Sequence, residues 1–299
     1  MLSRELREEI AKKVIKDSKG LKTKRDLEKT IMTLQLNYGD HVDALLMELG
    51  HDVFQNKRVL EVGCGFGGTV LGLQKLNAET HGLDIDKEKI RIATAIAKEK
   101  CGADSGFLVC AGESICFADN FFDFVISIYA LEHVQDPSKV ISEMIRVLRP
   151  GGILYIHTAN YLYPREAHYR VFMLPMMPKF LAKIYLRLRG RDPKFIEEIN
   201  YITPGRIRKL LRNRVASYRN VAEDRIINHI QNPDGIGLEH CIARKILMTL
   251  RSMKLSFIPC KLIRLLPLYF TIKVIAEKEA TPGYHSKVQS EHRKNVARP

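Results

Sequence analysis

The sequence predicts an α/β protein built on a doubly wound, mostly parallel sheet, with a helical insertion late in the chain. Three observations predict it. Short apolar runs alternate with helix-length amphipathic segments between residues 58 and 157, the rhythm of successive βαβ units. The first run, Val59-Leu60-Glu61-Val62, enters a glycine turn, Gly63-Cys64-Gly65-Phe66-Gly67-Gly68, and a helix-compatible stretch from Thr69 to Leu76 follows at once, a unit expected to present free backbone N–H groups to a ligand at the helix N-terminus. The chemically interesting polar residues fall at the carboxyl ends of these runs, where open α/β sheets place their ligands.

Taken in order, residues 1 to 26 form a mixed-charge segment that is helical in part. Leu27, Ile31 and Leu34, then Val42, Leu45, Leu46 and Leu49, have helical spacing and predict two short amphipathic helices broken at Tyr38-Gly39. The core then reads strand 58–62, helix 66–76, strand 80–84, helix 87–100, strand 106–110, strand 124–128, helix 137–148 and strand 152–157. Asp86 is a suitable N-cap for the second of these helices. After Thr158 the pattern changes. Residues 160–198 hold Pro164, Pro175, Pro178 and Pro193 among aromatic and basic residues, and predict a mobile insertion of loops and short helices. Thr203-Pro204 starts a helix with threonine as N-cap and proline at N1. A strand over 215–221, an amphipathic helix over 241–253 and a closing strand over 269–276 complete the reading. Residues 281–299 are polar and basic, and predict disorder.

Composition narrows the classes. Six cysteines without a Cys-x-x-Cys pair suggest neither a disulfide framework nor a metal cluster, and fit a reducing, cytoplasmic compartment. The charged first residues predict no signal peptide, and the apolar stretch 265–272 is too short to span a bilayer. The net charge of +14 is unevenly placed. Residues 57–150 carry 11 basic and 13 acidic side chains, whereas 160–195 carry 8 and 2, and 201–220 and 241–266 carry 6 and none each. The excess therefore lies outside the sheet region, and speaks to partners rather than to fold.

The glycine loop alone is ambiguous, because Gly63-x-Gly65-x-x-Gly68 also satisfies the dinucleotide fingerprint. The residues around it favour another nucleoside. Glu61 lies inside the strand, where a carboxylate suits a ligand bearing an ammonium group better than a pyrophosphate. Asp84 ends the second strand 21 residues past Gly63, at the spacing of a ribose-binding acid. Further on come Phe122-Asp123-Phe124-Val125-Ile126-Ser127, then Ala130-Leu131-Glu132-His133-Val134, then Leu148-Arg149-Pro150-Gly151-Gly152. In this order the motifs resemble the class I S-adenosylmethionine-dependent methyltransferases of the small-molecule type, including the ubiquinone-synthesis group, over roughly residues 28 to 160.

The resemblance implies a Rossmann-like sheet with an antiparallel final strand, and S-adenosyl-L-methionine as cofactor. It divides the chain into an N-terminal helical cap (1–50), a cofactor-binding core (51–160), a substrate lid (161–202), a completion of the sheet with a basic amphipathic insertion (203–280) and a tail (281–299). It implies that Glu61, Gly63, Cys64 and Gly65 approach the methionine end, Asp84 holds the ribose, and Ile85 packs on the adenine. Ala111-Gly112-Glu113-Ser114 then meets the adenine edge, with Glu113 and Ser114 the polar candidates because Ala111 stands where many relatives have aspartate. Ile128 and Tyr129 close the site.

His133 is the candidate general base, or else a helix-start histidine with structural hydrogen bonds. Glu132-His133 also resembles the Glu-x-x-Glu-His metal set of quinone-pathway O-methyltransferases, but Tyr129 replaces the first glutamate, leaves two ligands, and no metal is expected. Tyr163, Arg165, His168 and Tyr169 are candidate substrate contacts in a cationic, aromatic lid. Met173, Leu174, Met176, Met177, Phe180 and Leu181 suit either a greasy pocket or the core of that lid. This mixture implies an anionic or amphiphilic small-molecule acceptor, methylated at oxygen. The basic, apolar residues of 241–266 suit an anionic membrane surface or a solvated face over the sheet, and so leave peripheral attachment to an inner membrane face as an expectation. An RNA substrate is the alternative kept open by the basic segments, although Ile128-Tyr129-Ala130-Leu131 lacks the Asx-Pro-Pro-aromatic motif of base N-methylation and nucleic acid is not the expected partner. A non-catalytic cofactor-binding protein is the other. The sequence says nothing of oligomeric state.

Overall fold

A computed structural model of the chain describes residues 2–18, 39–50, 52–102, 106–232, 248–253, 255–265, 269 and 271–279. Its centre is a seven-stranded sheet. The strands are β1 (Arg58–Val62), β2 (Glu79–Asp84), β3 (Gly106–Val109), β4 (Phe122–Ile128), β5 (Leu148–Ala159), β8 (Ser217–Asn220) and β9 (Thr271–Glu277). Their spatial order is β3-β2-β1-β4-β5-β9-β8. β1 through β5 pair in parallel, and β9 runs antiparallel to both β5 and β8. The order reverses at β1, which lies between β2 and β4, and this sets the ligand crevice at its carboxyl end. Every residue of β4 is buried, as expected for a central strand covered on both faces.

Local chemistry fixes the helices around the sheet. Helix α3 (Gly68–Gln74) follows the glycine turn directly. Helix α4 (Lys87–Cys101) starts on Asp86, whose carboxylate accepts from the N–H groups of Glu88 and Lys89 at 2.9 and 3.2 Å. Helix α5 (Pro137–Val147) starts on Asp136 in the same way, with Pro137 in its first turn. Ahead of the sheet, α1 (Arg4–Ser18) buries Leu6, Ile10 and Val14 against Ile92 and Ile96 of α4. Lys13 adds ion pairs to Asp86 at 2.6 Å and Asp17 at 3.0 Å. Helix α2 (Gly39–Leu49) packs Val42 and Leu45 with Phe54, Phe124 and Tyr155.

The part of the insertion after Thr158 is docked rather than loose. A two-strand hairpin, β6 (Arg165–Glu166) with β7 (Val171–Phe172), is followed by α6 (Lys179–Leu188) and α7 (Lys194–Glu198). Tyr169, Val171, Met173, Ala182, Leu186 and Ile196 join the same buried cluster as Leu154 and Ile156 of the sheet. The expected mobility is corrected accordingly: Pro164 directly precedes β6, Pro178 and Pro193 are the N-cap residues of α6 and α7, and the segment packs as one piece with the core. Helix α8 (Pro204–Leu211) begins as predicted, with Thr203 Oγ1 accepting from Arg206 N–H at 3.2 Å.

Two helices escaped the sequence reading. Helix α9 (Val221–Gln231) is capped by Asn220, which accepts from Glu223 N–H. Helix α10 (Phe257–Leu265) carries Pro259 in its first turn, and the proline hid it. The helix predicted before Tyr38, most of that over 241–253, and the tail 281–299 lie outside the described residues. Among the described residues no helix is long and apolar enough to cross a membrane.

Docking of the insertion is measurable. Leu186 is fully buried on the inner face of α6. Leu186→Ala is expected to cost about 2–5 kcal/mol of global stability in urea unfolding. A loss below about 0.5 kcal/mol, the range of surface substitutions, would mean that α6 is not part of the core.

Candidate active site

At the carboxyl end of β1 the chain turns through Gly63, Gly65 and Gly67, with φ of 79°, 54° and 77°. A Cβ on Gly63 would stand 2.3 Å from the Cβ of Ala130. Glycine thus lets the loop after β1 cross against the loop after β4. At Gly65 a Cβ would meet nothing within 4 Å, because that residue faces a cavity of about 850 Å³.

The loop does not offer its N–H groups as the sequence suggested. Gly63 and Cys64 both donate to the carbonyl of Leu83, at 2.8 and 2.9 Å. Gly65 N–H donates to Asp84 Oδ2 at 2.9 Å, and Gly67 N–H to the Cys64 carbonyl at 2.9 Å. The expectation of a free donor cradle is therefore corrected. The turn spends three of these donors on β2 and the fourth on itself, and what it presents nearby is acidic.

Asp84 is held at both oxygens, since Asp86 N–H donates to Oδ1 at 2.9 Å. A carboxylate oxygen accepts more than one hydrogen bond, so each can also take a hydroxyl from the cavity that Asp84 lines. Glu61 lies behind the turn at 4% exposure, held by the Thr69 side chain and the Val70 N–H. Its Oε2 has no partner. Burial, and then the negative charge of Asp84, pushes its pKa up to about 8.

Along one wall Ile85 is 68% exposed to the cavity, opposite Ala111 and Gly112. Glu113 lines it too, but its Oε1 accepts from the N–H groups of Gln135 and Asp136 at 2.9 and 3.2 Å. It therefore braces the start of α5. Lys89 and Lys139 also line the cavity, and sequence reasoning missed both.

At the other end, Tyr129 adopts φ 50°, a strained value for a tyrosine, while its N–H donates to the His157 carbonyl at 2.7 Å. Its ring stands 4.4 Å from that of His157. His133 borders the cavity and packs at 5.1 Å from His168 and 5.5 Å from Phe195, centroid to centroid. Desolvation, followed by the neighbouring His168, holds its pKa below the ordinary histidine value. Glu132 is fully buried and accepts from Thr158 Oγ1 at 2.7 Å, while its Oε1 has no partner. His168 Nδ1 sits 2.8 Å from Oε1 of the buried Glu166. Ligand atoms of Glu132, His133 and His168 lie within 4.8 Å of one another. The sequence offered two neighbouring ligands here, and the hairpin brings a third.

Gly63, Gly65, Asp84, Ile85, Glu113, Tyr129 and His133 thus share one cavity. Several other candidates do not reach it, Glu61 among them, which is buried behind the turn and outside the lining. Cys64 packs with Phe107 and Val70, and Ile128 with Phe54 and Tyr155. Ser114 is exposed beyond the lining, and Ser127, not Ile128, reaches the cavity from β4. Tyr169 is a core residue whose hydroxyl donates to the Asp192 carbonyl at 2.9 Å. Arg165 is exposed on β6, and Tyr163 is half-buried outside the lining. Of the six greasy lid residues, Met173 is in the core, while Leu174, Met176, Phe180 and Leu181 are exposed. A second cavity, of about 580 Å³ under Arg208, Arg212 and Tyr218, shares no residue with the first and has neither acid nor histidine in its lining.

Fold and cavity together define a nucleoside-binding α/β domain whose glycine turn is flanked by acids instead of donors. Residues 60–156 match the methyltransferase domain family. The chain is 34% identical over 133 residues to ajmaline N-methyltransferase of Rauvolfia serpentina, covering 43% of this chain and 44% of that protein. It is 33% identical over 131 residues to a ubiquinone biosynthesis O-methyltransferase of Vibrio cholerae, covering 44% and 50%. The crystal structure of the YcgJ protein from Bacillus subtilis shares the fold at 20% identity and a TM-score of 0.51, over 81% of this chain and 100% of that one. The chain spans about half the length of the curated relatives it matches. Residues 60–156 thus form a methyltransferase domain of the class I S-adenosylmethionine-dependent kind, with S-adenosyl-L-methionine as its cofactor.

The cavity suits that cofactor. The unpartnered Glu61 Oε2 gives a buried acid beside the turn, and the exposed Ile85 an apolar surface for a flat ring. Asp84→Ala should weaken S-adenosylmethionine binding about 100-fold or more by calorimetry, as two hydrogen bonds to a charged acceptor are worth about 1.5–3 kcal/mol each. With Glu61 raised to about 8, neutral solutions hold it protonated, and a ligand cation beside it favours the ionised form. Proton release on binding is therefore expected at pH 7, fading as the pH passes 8. Calorimetry in buffers of different ionisation heat reads this, and Glu61→Gln should remove it.

Proposed function

We propose that this chain transfers the methyl group of S-adenosylmethionine to the hydroxyl oxygen of an amphiphilic small-molecule acceptor. The observation that carries the reading is the continuity of one cavity from Asp84 at the glycine turn to the imidazole of His133, with Glu61 buried just behind that turn. When bound, the cofactor supplies a methyl group already activated by its sulfonium. Asp84 holds the ribose hydroxyls and, through Gly65 N–H, keeps the glycine turn in place. Glu61 answers the ammonium group, and Ile85 covers the adenine. Glu113 fixes the loop after β4 through Gln135 and Asp136.

His133 takes the acceptor's hydroxyl proton. Its lowered pKa keeps the ring neutral at physiological pH, ready to receive a proton. An amine acceptor would need no such base once neutral, which is why oxygen is preferred here. The preference rests on His133 and not on likeness, since the relatives include N- and O-methyltransferases by name. Alignment of nucleophile and methyl group remains the larger part of the task. The basic charge of the insertion, with His168 of the hairpin packed on His133, supports an acceptor with an anionic head, and the apolar lid surface supports a greasy tail.

Methyl-labelled S-adenosylmethionine incubated with cell extract tests the reading. Label is expected in small molecules that partition into organic solvent, and Asp84→Ala should abolish it. Label recovered in RNA, or none transferred by a protein that binds the cofactor, overturns the proposal.

A further inference from the structure

The outer face of the lid is unlike the rest of the surface. On α6, Phe180, Ile184 and Leu188 are exposed by 64%, 51% and 82%, and Leu181 is exposed beside them. At the helical period these four fall within about 100° of one another, opposite the buried Ala182 and Leu186. Phe172, Leu174 and Met176, just before the helix, are exposed as well. Over residues 179–191 the chain has five cations, Lys179, Lys183, Arg187, Arg189 and Arg191, and no acid, and Glu197 of α7 pairs with one of them, Lys183. Lys183 and Arg187 border the apolar arc on the helical wheel. This pairing of bare aliphatic side chains with a basic flank is the composition of a helix that lies in a membrane interface.

We propose that α6 and the segment leading into it form a docking surface for an anionic lipid bilayer. Charge decides between the occupants. A second copy would bring its own five cations against these. The chain's basic residues 281–299, with Lys287, Arg293, Lys294 and Arg298 against Glu291, carry the same sign. A bilayer with anionic headgroups answers both features at once: acyl chains receive Phe180, Ile184 and Leu188, and headgroups meet the lysines and arginines.

The surface is also wired to the reacting end. Tyr185 Oη donates to the Phe172 carbonyl at 2.7 Å, fixing α6 to the hairpin. Four residues earlier in that hairpin, His168 packs against His133. A continuous run of contacts therefore reaches from the proposed bilayer face to the cavity, so an amphiphilic acceptor need not leave the lipid to be methylated. The inference rests on the reading of an amphiphilic acceptor, and it moves the membrane contact from the 241–266 stretch to the lid.

Vesicle flotation tests it, with phosphatidylglycerol mixed into phosphatidylcholine against phosphatidylcholine alone. The full chain is expected to bind the anionic vesicles at least tenfold more tightly than the neutral ones. Ile184→Asp combined with Leu188→Asp, both on the exposed arc, should weaken anionic binding at least tenfold while keeping the heat of S-adenosylmethionine binding. Arg187→Ala with Arg189→Ala and Arg191→Ala should lose the preference for anionic lipid without adding a charge. The proposal fails if the parent ignores lipid charge, if the lid variants bind like the parent, or if only Phe257→Asp with Leu262→Asp on α10 abolishes binding. A parent that floats with anionic vesicles yet gives no heat with S-adenosylmethionine would sink the functional reading and leave the docking surface standing.

Discussion

The two hydrogen bonds that pin Asp84, one from Gly65 N–H and one from Asp86 N–H, tie the three parts of the cofactor end together. They join the glycine turn after β1 to the end of β2 and to the residue that caps α4. Glycine leaves a turn with three positive-φ residues free to take other shapes, and these bonds act with those from Gly63 and Cys64 to Leu83 and from Gly67 to Cys64 to hold one. The same bonds leave the carboxylate with a fixed orientation toward the cavity. They also explain why an acid, and not a ring of donors, marks this site. A dinucleotide cradle needs its N–H groups free for a pyrophosphate, and here Gly63, Cys64, Gly65 and Gly67 are already committed to protein acceptors.

This shows what the sequence could and could not carry. The strand–turn–helix unit, Asp84 and the capping roles of Asp86 and Thr203 were legible because each rests on residues close together in the chain. The fate of the loop N–H groups was not, since three of the four find their acceptors on β2, some 20 residues away, and the fourth depends on the shape of the turn. Ile128 was misread because β4 is buried on both faces, so its sequence has no alternation to say which side chain faces the crevice. Cys64 was misread for a related reason: in a turn this tight, neighbouring residues point to opposite sides. Tyr169 looked like a site residue by composition, yet the hairpin turn, with Arg170 at φ 56°, points it into the core. Glu166 and Phe195 were invisible because their importance comes only from where the insertion docks. Helix α9 was legible in principle, as Asn220 followed three residues later by Glu223 is a capping signal.

The insertion is one folded piece with two faces of different character. Its inner face is continuous with the sheet core, through Leu186, Ile196 and Met173. Its outer face keeps apolar side chains in solvent at a cost that packing elsewhere must offset. A surface helix that only covered a core would place polar residues at Phe180, Ile184 and Leu188. Their presence, next to a cluster of cations of which only Lys183 is shown in an ion pair, with Glu197, is a constraint that the stability of the isolated chain does not require.

The two ends of the cavity also differ in how their charge is managed. At the cofactor end Asp84 is held by two N–H donors in a partly open wall, where ionised oxygens are solvated by the backbone itself. At the reacting end burial raises the pKa of Glu132 and lowers that of His133, so both groups are driven toward their neutral forms. Burial likewise raises Tyr129, to about 12. The wall that meets the acceptor is thus polar but little charged at neutral pH. A strongly charged wall would hold water, and water competes both for the methyl group and for the space of an apolar tail. A neutral wall of hydrogen-bonding groups, backed by Phe195 and reached through a lid with a greasy outer face, lets an amphiphile displace that water while one imidazole stays free to take its proton.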